Sequence, residues 1–124
     1  MIQKLEISGV HTDIDKKLRD YVTKKIGKLD RFTPRKTREA LHAEIILKDT
    51  KAKDKKHCVC EVVMFLPHDK IIVSEATMNM YASVDIVETK LKNLLKKYKE
   101  THSSLALHKR MLSRMRRRPN SRIT

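Results

Sequence analysis

The chain has 124 residues, of which 40% are hydrophobic and 35% are charged, so it can form one domain with a thin core but not two independent domains. Its formal net charge of +14 favours a polyanionic partner, either nucleic acid or an anionic membrane surface, and nucleic acid is the first choice. The sequence contains no apolar run of about 18 residues, so we expect no segment that spans a bilayer. The amino terminus lacks the long apolar segment of a signal peptide, so we expect a cytoplasmic protein.

The first elements along the chain are predicted to be a strand and a helix. Residues 2–8 form a short alternating segment that predicts a strand, ended by Gly9. Thr12 and Asp15 resemble a helix-capping pair, and the apolar side chains that follow recur at helical spacing. We therefore expect a helix from about Asp13 to Arg31, followed by a connector that contains a proline.

Three further strands are predicted in the middle of the chain, beginning near Leu41, His57 and Lys70. The charged run of residues 49–56 and the turn at residues 67–69 separate them as loops, which favours an antiparallel meander. Alternation predicts which of their side chains face the helices: Ala43, Ile45, Leu47, Cys58, Cys60, Val62, Met64, Ile71 and Val73.

Asn79 is a suitable N-cap for a second helix, whose sequence NMYASVDIVETKLKNLLKKYKE is the longest helical pattern in the chain. Its predicted apolar stripe consists of Met80, Val84, Val87, Leu91, Leu94, Leu95 and Tyr98.

The order βαβββα, with a right-handed crossover at the start, predicts an α+β fold of two layers, a four-stranded sheet with both helices on one face. We expect this domain to span residues 1–100, and a basic tail, partly disordered or helical, to span residues 101–124.

Basic residues line the flanks of both predicted helices. They are Lys17, Lys24, Lys28 and Arg31 on the first helix, Lys90 and Lys97 on one flank of the second, and Lys92, Lys96 and Lys99 on its other flank. Two such helices side by side make a groove suited to the phosphates of folded RNA, whereas an ordinary solvated helix face mixes charges of both signs. Because only 4% of the residues are aromatic, we expect recognition of shape and backbone rather than base stacking.

Other kinds of site find little support in the sequence. The candidate metal ligands are His42, His57, Cys58 and Cys60, but they lack the second Cys pair of a structural zinc site, and packing of both thiols in the core is favoured. A thiol or metal switch centred on the two cysteines stays as an alternative.

The sequence shows no motif of a catalytic site. The two glycines are too far apart for a phosphate-binding loop, and no nucleophile elbow or pair of catalytic carboxylates is evident, so we expect neither an enzyme nor a cofactor.

The stretch NMYASVD at residues 79–85, with the Lys-Leu pair that follows it, resembles a motif of the bacterial ribosome hibernation-promoting factor and ribosome-associated inhibitor family. Residues 18–32 are similar to the first helix of that family, and CEVVM around Glu61 resembles its third strand. The resemblance covers about residues 2–100. It implies a fold like that of double-stranded-RNA-binding domains, lodged in the small ribosomal subunit between head and body. There the protein would overlap the tRNA and mRNA sites and stop translation without catalysing a reaction.

The resemblance also implies that ribosomal RNA contacts Arg19, Lys25, Lys28, Lys90, Lys97 and Lys99. With the helix flanks and the tail, the predicted RNA-binding residues are Arg19, Lys24, Lys25, Lys28, Arg31, Lys90, Lys92, Lys97, Lys99, Arg116, Arg117 and Arg118. The tail is either a solvated end or a second RNA-contacting arm, and its charge favours the arm.

Two departures from the family pattern affect these predictions. Asn93 and Leu94 stand where the family often has Arg-Gln, which removes one expected phosphate contact. The 24 residues after Glu100 are too few for the second, dimerising domain of the family's long branch, so we expect a monomer away from the ribosome. The alternative is a general module for structured RNA that has no preference for ribosomes.

Overall fold

The computed structural model describes residues 1–52, 55–67 and 69–102. Its strands are β1 (Lys4–Val10), β2 (His42–Ala52), β3 (Lys55–Leu66) and β4 (Asp69–Thr77), and its helices are α1 (Lys16–Gly27) and α2 (Met80–His102). Two short 3-10 segments, Lys28–Phe32 and Arg35–Ala40, connect α1 to β2. The order of strands and helices along the chain is the predicted βαβββα.

The four strands form one mixed sheet in the order β1-β2-β3-β4. β1 runs parallel to β2, and the other two pairs are antiparallel. The registers align Ile7 with Ile45, Ile45 with Val62, and Val62 with Val73, so one row of apolar side chains crosses the whole sheet. Because successive side chains of a strand point to opposite faces, this row marks the face that both helices cover.

The hydrophobic core lies between this face and the helices, as the alternation predicted. Of the nine predicted inward-facing strand residues, eight are buried, and Ile71 is partly buried against them. The helices contribute Leu18, Val22 and Ile26 from α1 and Val84, Val87, Leu91 and Leu95 from α2. Within the described residues, neither α1 nor α2 combines the length and the hydrophobicity of a membrane-spanning segment.

Leu94 departs from the predicted apolar stripe of α2. It is 38% exposed, whereas its neighbours Leu91 and Leu95 are fully buried. Residues are spaced by about 100° around a helix, which puts Leu94 at the edge of the stripe. There it borders a shallow groove between α2 and β4, next to Ile72. The placement of Leu94 in the core was therefore wrong.

The start of α1 also differs from the prediction. The helix begins at Lys16, because Asp15 is the N-cap and its Oδ1 accepts a hydrogen bond from the backbone N–H of Leu18 at 2.8 Å. Regular helix then ends at Gly27. The predicted remainder, as far as Arg31, is part of the first 3-10 segment.

Three strands run further than predicted. β1 continues through Gly9, where a Cβ atom would lie 2.8 Å from the backbone oxygen of Thr12, so the glycine permits a close approach instead of ending the strand. The charged run of residues 49–56 is not simply a loop, because β2 continues to Ala52 and β3 begins at Lys55. The ladder of backbone hydrogen bonds does not depend on side-chain polarity, and it extends the hairpin beyond the core.

Candidate nucleic-acid interface

α1 and α2 lie side by side, and their contacting side chains form an interhelical seam. The seam consists of Tyr21, Lys25 and Lys28 on one side and Tyr81, Asp85 and Glu88 on the other. The rings of Tyr21 and Tyr81 meet edge to face, with their centroids 4.9 Å apart. The Tyr21 hydroxyl donates a hydrogen bond to Asp85 at 2.5 Å, and this bond raises the pKa of Tyr21 to about 12.

Both acids of the seam have basic partners. The ammonium of Lys25 lies 3.7 Å from Asp85, and that of Lys28 lies 3.2 Å from Glu88. Lys25 also lies 5.5 Å from the centroid of the Tyr21 ring, at cation–π distance. These two predicted RNA-binding lysines are therefore already engaged by acids of the same chain, and the two acids and two lysines of the seam balance. Lys17 Nζ lies 5.8 Å from the centroid of the Tyr81 ring and adds one positive charge beside this end of the seam.

Beyond Glu88 the surface becomes basic and is centred on Phe32. Arg31 Cζ lies 5.3 Å, Lys96 Nζ 5.4 Å and Lys92 Nζ 6.0 Å from the centroid of the Phe32 ring. We call these four residues the Phe32 cluster. Among the described residues, none of its three cations forms an ion pair with an acid. All three cations lie within about 6 Å of one ring centre, so the cluster is a concentration of positive charge that lacks a counter-ion within the described chain.

Sequence reasoning identified part of this cluster. Arg31 and Lys92 were among the predicted RNA-binding residues, whereas Lys96 was placed only on a helix flank and Phe32 was not considered. The ring joins cations that are distant in sequence, and local periodicity does not report such a contact. The signal that could have identified Phe32 is an aromatic residue directly after the predicted basic helix, in a chain with few aromatics.

Two further predicted cations lie on the same side as the cluster. Lys24 is exposed on the solvent side of α1, three residues from Tyr21. Lys99 is exposed and continues the row of Lys92 and Lys96 at helical spacing. Both extend the basic surface along the seam.

The other predicted residues are not brought to the seam. Lys90 and Lys97 share the opposite flank of α2 by their spacing, and Lys90 pairs with Glu75 of β4. Arg19 is exposed and lies about 200° around α1 from Tyr21, so it is on the flank that faces away from α2. Three arginines of the tail, Arg116, Arg117 and Arg118, lie outside the described residues.

Hydrogen bonds fix the amino-terminal end of α2 to the sheet. Asn79 caps the helix as predicted, because its Oδ1 accepts a hydrogen bond from the backbone N–H of Tyr81 at 2.8 Å. The buried Ser83 hydroxyl donates to the backbone oxygen of Cys58 at 2.6 Å and lies 2.8 Å from the Thr77 hydroxyl. This network sets the position of α2 on β3, and with it the position of the seam residues of α2.

Cys58 and Cys60 project from β3 into the core, where they are 2% and 0% exposed. His42 and His57 occupy the alternate positions of their strands and so lie on the other face of the sheet. The four candidate metal ligands are thus divided between two faces, and the favoured packing of both thiols in the core is confirmed. Burial raises the pKa of the Cys60 thiol to about 12.

We expect both thiols to be inert toward alkylation in the folded protein. Iodoacetamide reacts with the thiolate, and burial opposes both access to Cys60 and its ionisation. At about pH 8 the folded chain should stay unlabelled over a time in which the chain unfolded in urea is fully alkylated at both cysteines, as intact mass spectrometry will show. Rapid labelling of the folded chain would instead support the thiol-switch alternative.

Comparisons with known proteins cover the same elements. A family model described as Sigma 54 modulation protein / S30EA ribosomal protein matches residues 5–103. The ribosome hibernation promoting factor of Pseudomonas putida is 29% identical over 102 residues, which cover 82% of this chain and 92% of that protein. The one from Azotobacter vinelandii is 31% identical over 97 residues, covering 78% and 83%. Among solved structures, the Protein Y N-terminal domain of Thermus thermophilus is 30% identical, with a TM-score of 0.62 over 78% of this chain and 97% of that chain.

Proposed function

The chain belongs to the Sigma 54 modulation protein / S30EA ribosomal protein family, and we propose that it is a ribosome hibernation factor. In this proposal it binds the small ribosomal subunit near the decoding centre and excludes tRNA and mRNA. Translation stops because these sites are occupied, so the protein acts without catalysis or a cofactor. It does so in the cytoplasm, as a monomer when it is away from the ribosome.

The observation that carries this proposal is the Phe32 cluster. Its three cations concentrate positive charge at one end of the seam, and Lys24 and Lys99 extend that charge over the neighbouring surface. Clustered cations that no described acid pairs with attract the closely spaced phosphates of folded RNA, and the guanidinium of Arg31 can bind a phosphate through two hydrogen bonds. The relatives named ribosome hibernation promoting factors support the ribosome as the source of that RNA.

The ion pair of Lys28 with Glu88 affects RNA binding differently from the Phe32 cluster in this proposal. A phosphate that approaches Lys28 must compete with Glu88, whose carboxylate lies 3.2 Å from the ammonium. Glu88 is largely buried, with 15% of its side chain exposed, so the pair is screened less than a surface ion pair. We infer that Glu88 limits the contribution of Lys28 to RNA binding.

Neutralising this acid, with Glu88→Gln, is therefore expected to strengthen RNA binding. Lys28 loses its carboxylate partner and becomes available to a phosphate. The affinity for small subunits at low salt should rise several-fold. The slope of log affinity against log salt should steepen by about 0.7 to 0.9, the value for one additional phosphate contact. Binding curves at several salt concentrations measure both quantities.

Glu75→Gln is the matched control, because it frees Lys90 in the same way on the β4 side of α2. If RNA contacts the seam, only Glu88→Gln steepens the salt dependence. A larger effect of Glu75→Gln would place the RNA on the flank of Lys90 and Lys97 instead. Unchanged slopes in both variants would contradict the inference about Glu88.

Sedimentation of the pure protein with ribosomes in a density gradient tests the proposed function. We expect the protein to migrate with small subunits and monosomes at low salt, and to reduce the binding of tRNA to those subunits. A protein that stays at the top of the gradient contradicts the proposal. Equal affinity for an unrelated RNA duplex, with no effect on tRNA binding, would favour the general module for structured RNA.

A further inference from the structure

The face of the sheet opposite the helices carries a cluster of potential metal ligands. Glu6 of β1 and Glu44 of β2 are directly opposite each other in the parallel register, and His42 lies two residues before Glu44 on the same face. His42 Nε2 is 2.5 Å from Oε2 of Glu6 and 3.9 Å from Oε2 of Glu44. One nitrogen and two carboxylate oxygens therefore meet, all within 4.8 Å of one another.

The arrangement of these groups favours a cation between them. Two carboxylates in register on neighbouring strands repel each other and weaken the pairing of β1 with β2. The chain has 29 basic residues and only 15 acidic ones, yet Glu44 has an acid rather than a lysine opposite it. The His42 ring is stacked on Phe65, with centroids 5.2 Å apart and planes 29° apart, which limits its rotation next to the carboxylates.

We propose that Glu6, His42 and Glu44 bind a divalent first-row transition-metal ion, for which Zn²⁺ is the probe. An imidazole with two carboxylates suits Zn²⁺ and its neighbours, whereas Mg²⁺ and Ca²⁺ prefer oxygen ligands alone. Tetrahedral Zn²⁺ with ligands at about 2.0 to 2.1 Å holds its donor atoms about 3.3 Å apart. The separations of 2.5 and 3.9 Å from His42 therefore each change by less than about 1 Å on binding, which side-chain rotation provides, and water takes the fourth position.

This site would act on the fold and not on the RNA surface. A metal ion held by both strands joins the edge strand β1 to β2, so its binding free energy adds to the stability of the folded state. The cluster lies on the opposite side of the sheet from the interhelical seam, because its residues alternate with those that face the helices. The inference therefore holds or fails independently of ribosome binding.

Isothermal titration of the full chain with Zn²⁺ tests the site. We expect one equivalent to bind, and the melting temperature to rise as Zn²⁺ is added. His42→Ala should lower the affinity by about tenfold or more, and the nearly isosteric Glu44→Gln should weaken it as well. His57→Ala is the matched control, because His57 lies on the same face of the sheet but opposite Thr50, away from the cluster, and this variant should bind as the wild type does.

The cysteines need a separate control, since thiolates are strong zinc ligands. The Cys58→Ala, Cys60→Ala double variant should still bind one equivalent with unchanged affinity. Circular dichroism verifies that every variant is folded before titration. Equal affinity of the wild type and both folded cluster variants would overturn the proposal, as would binding that disappears with the cysteines or a wild type that binds no Zn²⁺.

Discussion

Reversing two charges of the Phe32 cluster, with Lys92→Glu and Lys96→Glu together, is expected to lower the affinity for small ribosomal subunits by at least about 100-fold. A hydrogen bond to a charged group contributes about 1.5 to 3 kcal/mol, and the double variant loses two such bonds and adds two repulsive carboxylates. The fold should be retained, because Lys96 is exposed and Lys92 is half-buried, and neither forms an ion pair among the described residues. Quantitative co-sedimentation measures the loss, and circular dichroism verifies the fold.

Lys48→Glu combined with Lys70→Glu is the matched control. Both residues lie on the face of the sheet that the helices do not cover, and the change in net charge is the same. If the Phe32 cluster binds RNA, the control keeps most of its affinity and loses only a long-range contribution that salt screens. Equal losses in the two double variants would mean that net charge, and not the Phe32 cluster, determines binding.

Truncating a fully buried side chain of α2, with Leu91→Ala, is expected to lower the free energy of unfolding by about 2 to 5 kcal/mol. Leu91 is fully buried between α2 and the sheet, so the change leaves a cavity under the middle of the helix that carries Lys92 and Lys96. Urea unfolding followed by circular dichroism gives the free energy. Ribosome binding should persist in conditions where the variant remains folded.

Leu94→Ala removes the same atoms three residues further along. Because Leu94 is 38% exposed, we expect a loss below about 1 kcal/mol. This pair of variants tests the correction to the predicted apolar stripe directly. Similar losses for Leu91→Ala and Leu94→Ala would place Leu94 in the core after all.

The fold could be predicted from the sequence wherever burial imposes a period. One covered face of the sheet requires alternation, so residues such as Ile45 and Val62 were assigned to the correct side. The ends of β1 and α1 depend instead on local contacts. β1 does not end at Gly9, where the absence of a Cβ atom permits the close approach of the Thr12 backbone, and the start of α1 depends on the side chain of Asp15. Such contacts between a loop and its neighbours leave no periodic signal.

The candidate site was predictable as a set of charges but not as an arrangement. Spacing separates Lys90 from Lys92 and Lys96 on α2, yet which flank meets α1 depends on how the helices dock. The structure puts Lys92 and Lys96 beside Phe32 and pairs Lys90 with Glu75. In the same way, the acids that pair with Lys25 and Lys28 are distant in sequence, so the sequence alone predicts that both lysines are free to bind RNA.

The parallel pairing of β1 with β2 has a consequence for the order in which the chain folds. β2, β3 and β4 are neighbours in sequence and α2 follows directly, so they can assemble through local contacts. The pairing of β1 with β2 closes a longer loop that contains α1, so we expect it to form later. The seam takes one helix from each of these two units. In refolding experiments we expect the chain to bind RNA only after the meander has formed and both helices have docked. Partly folded chains would then not bind ribosomes.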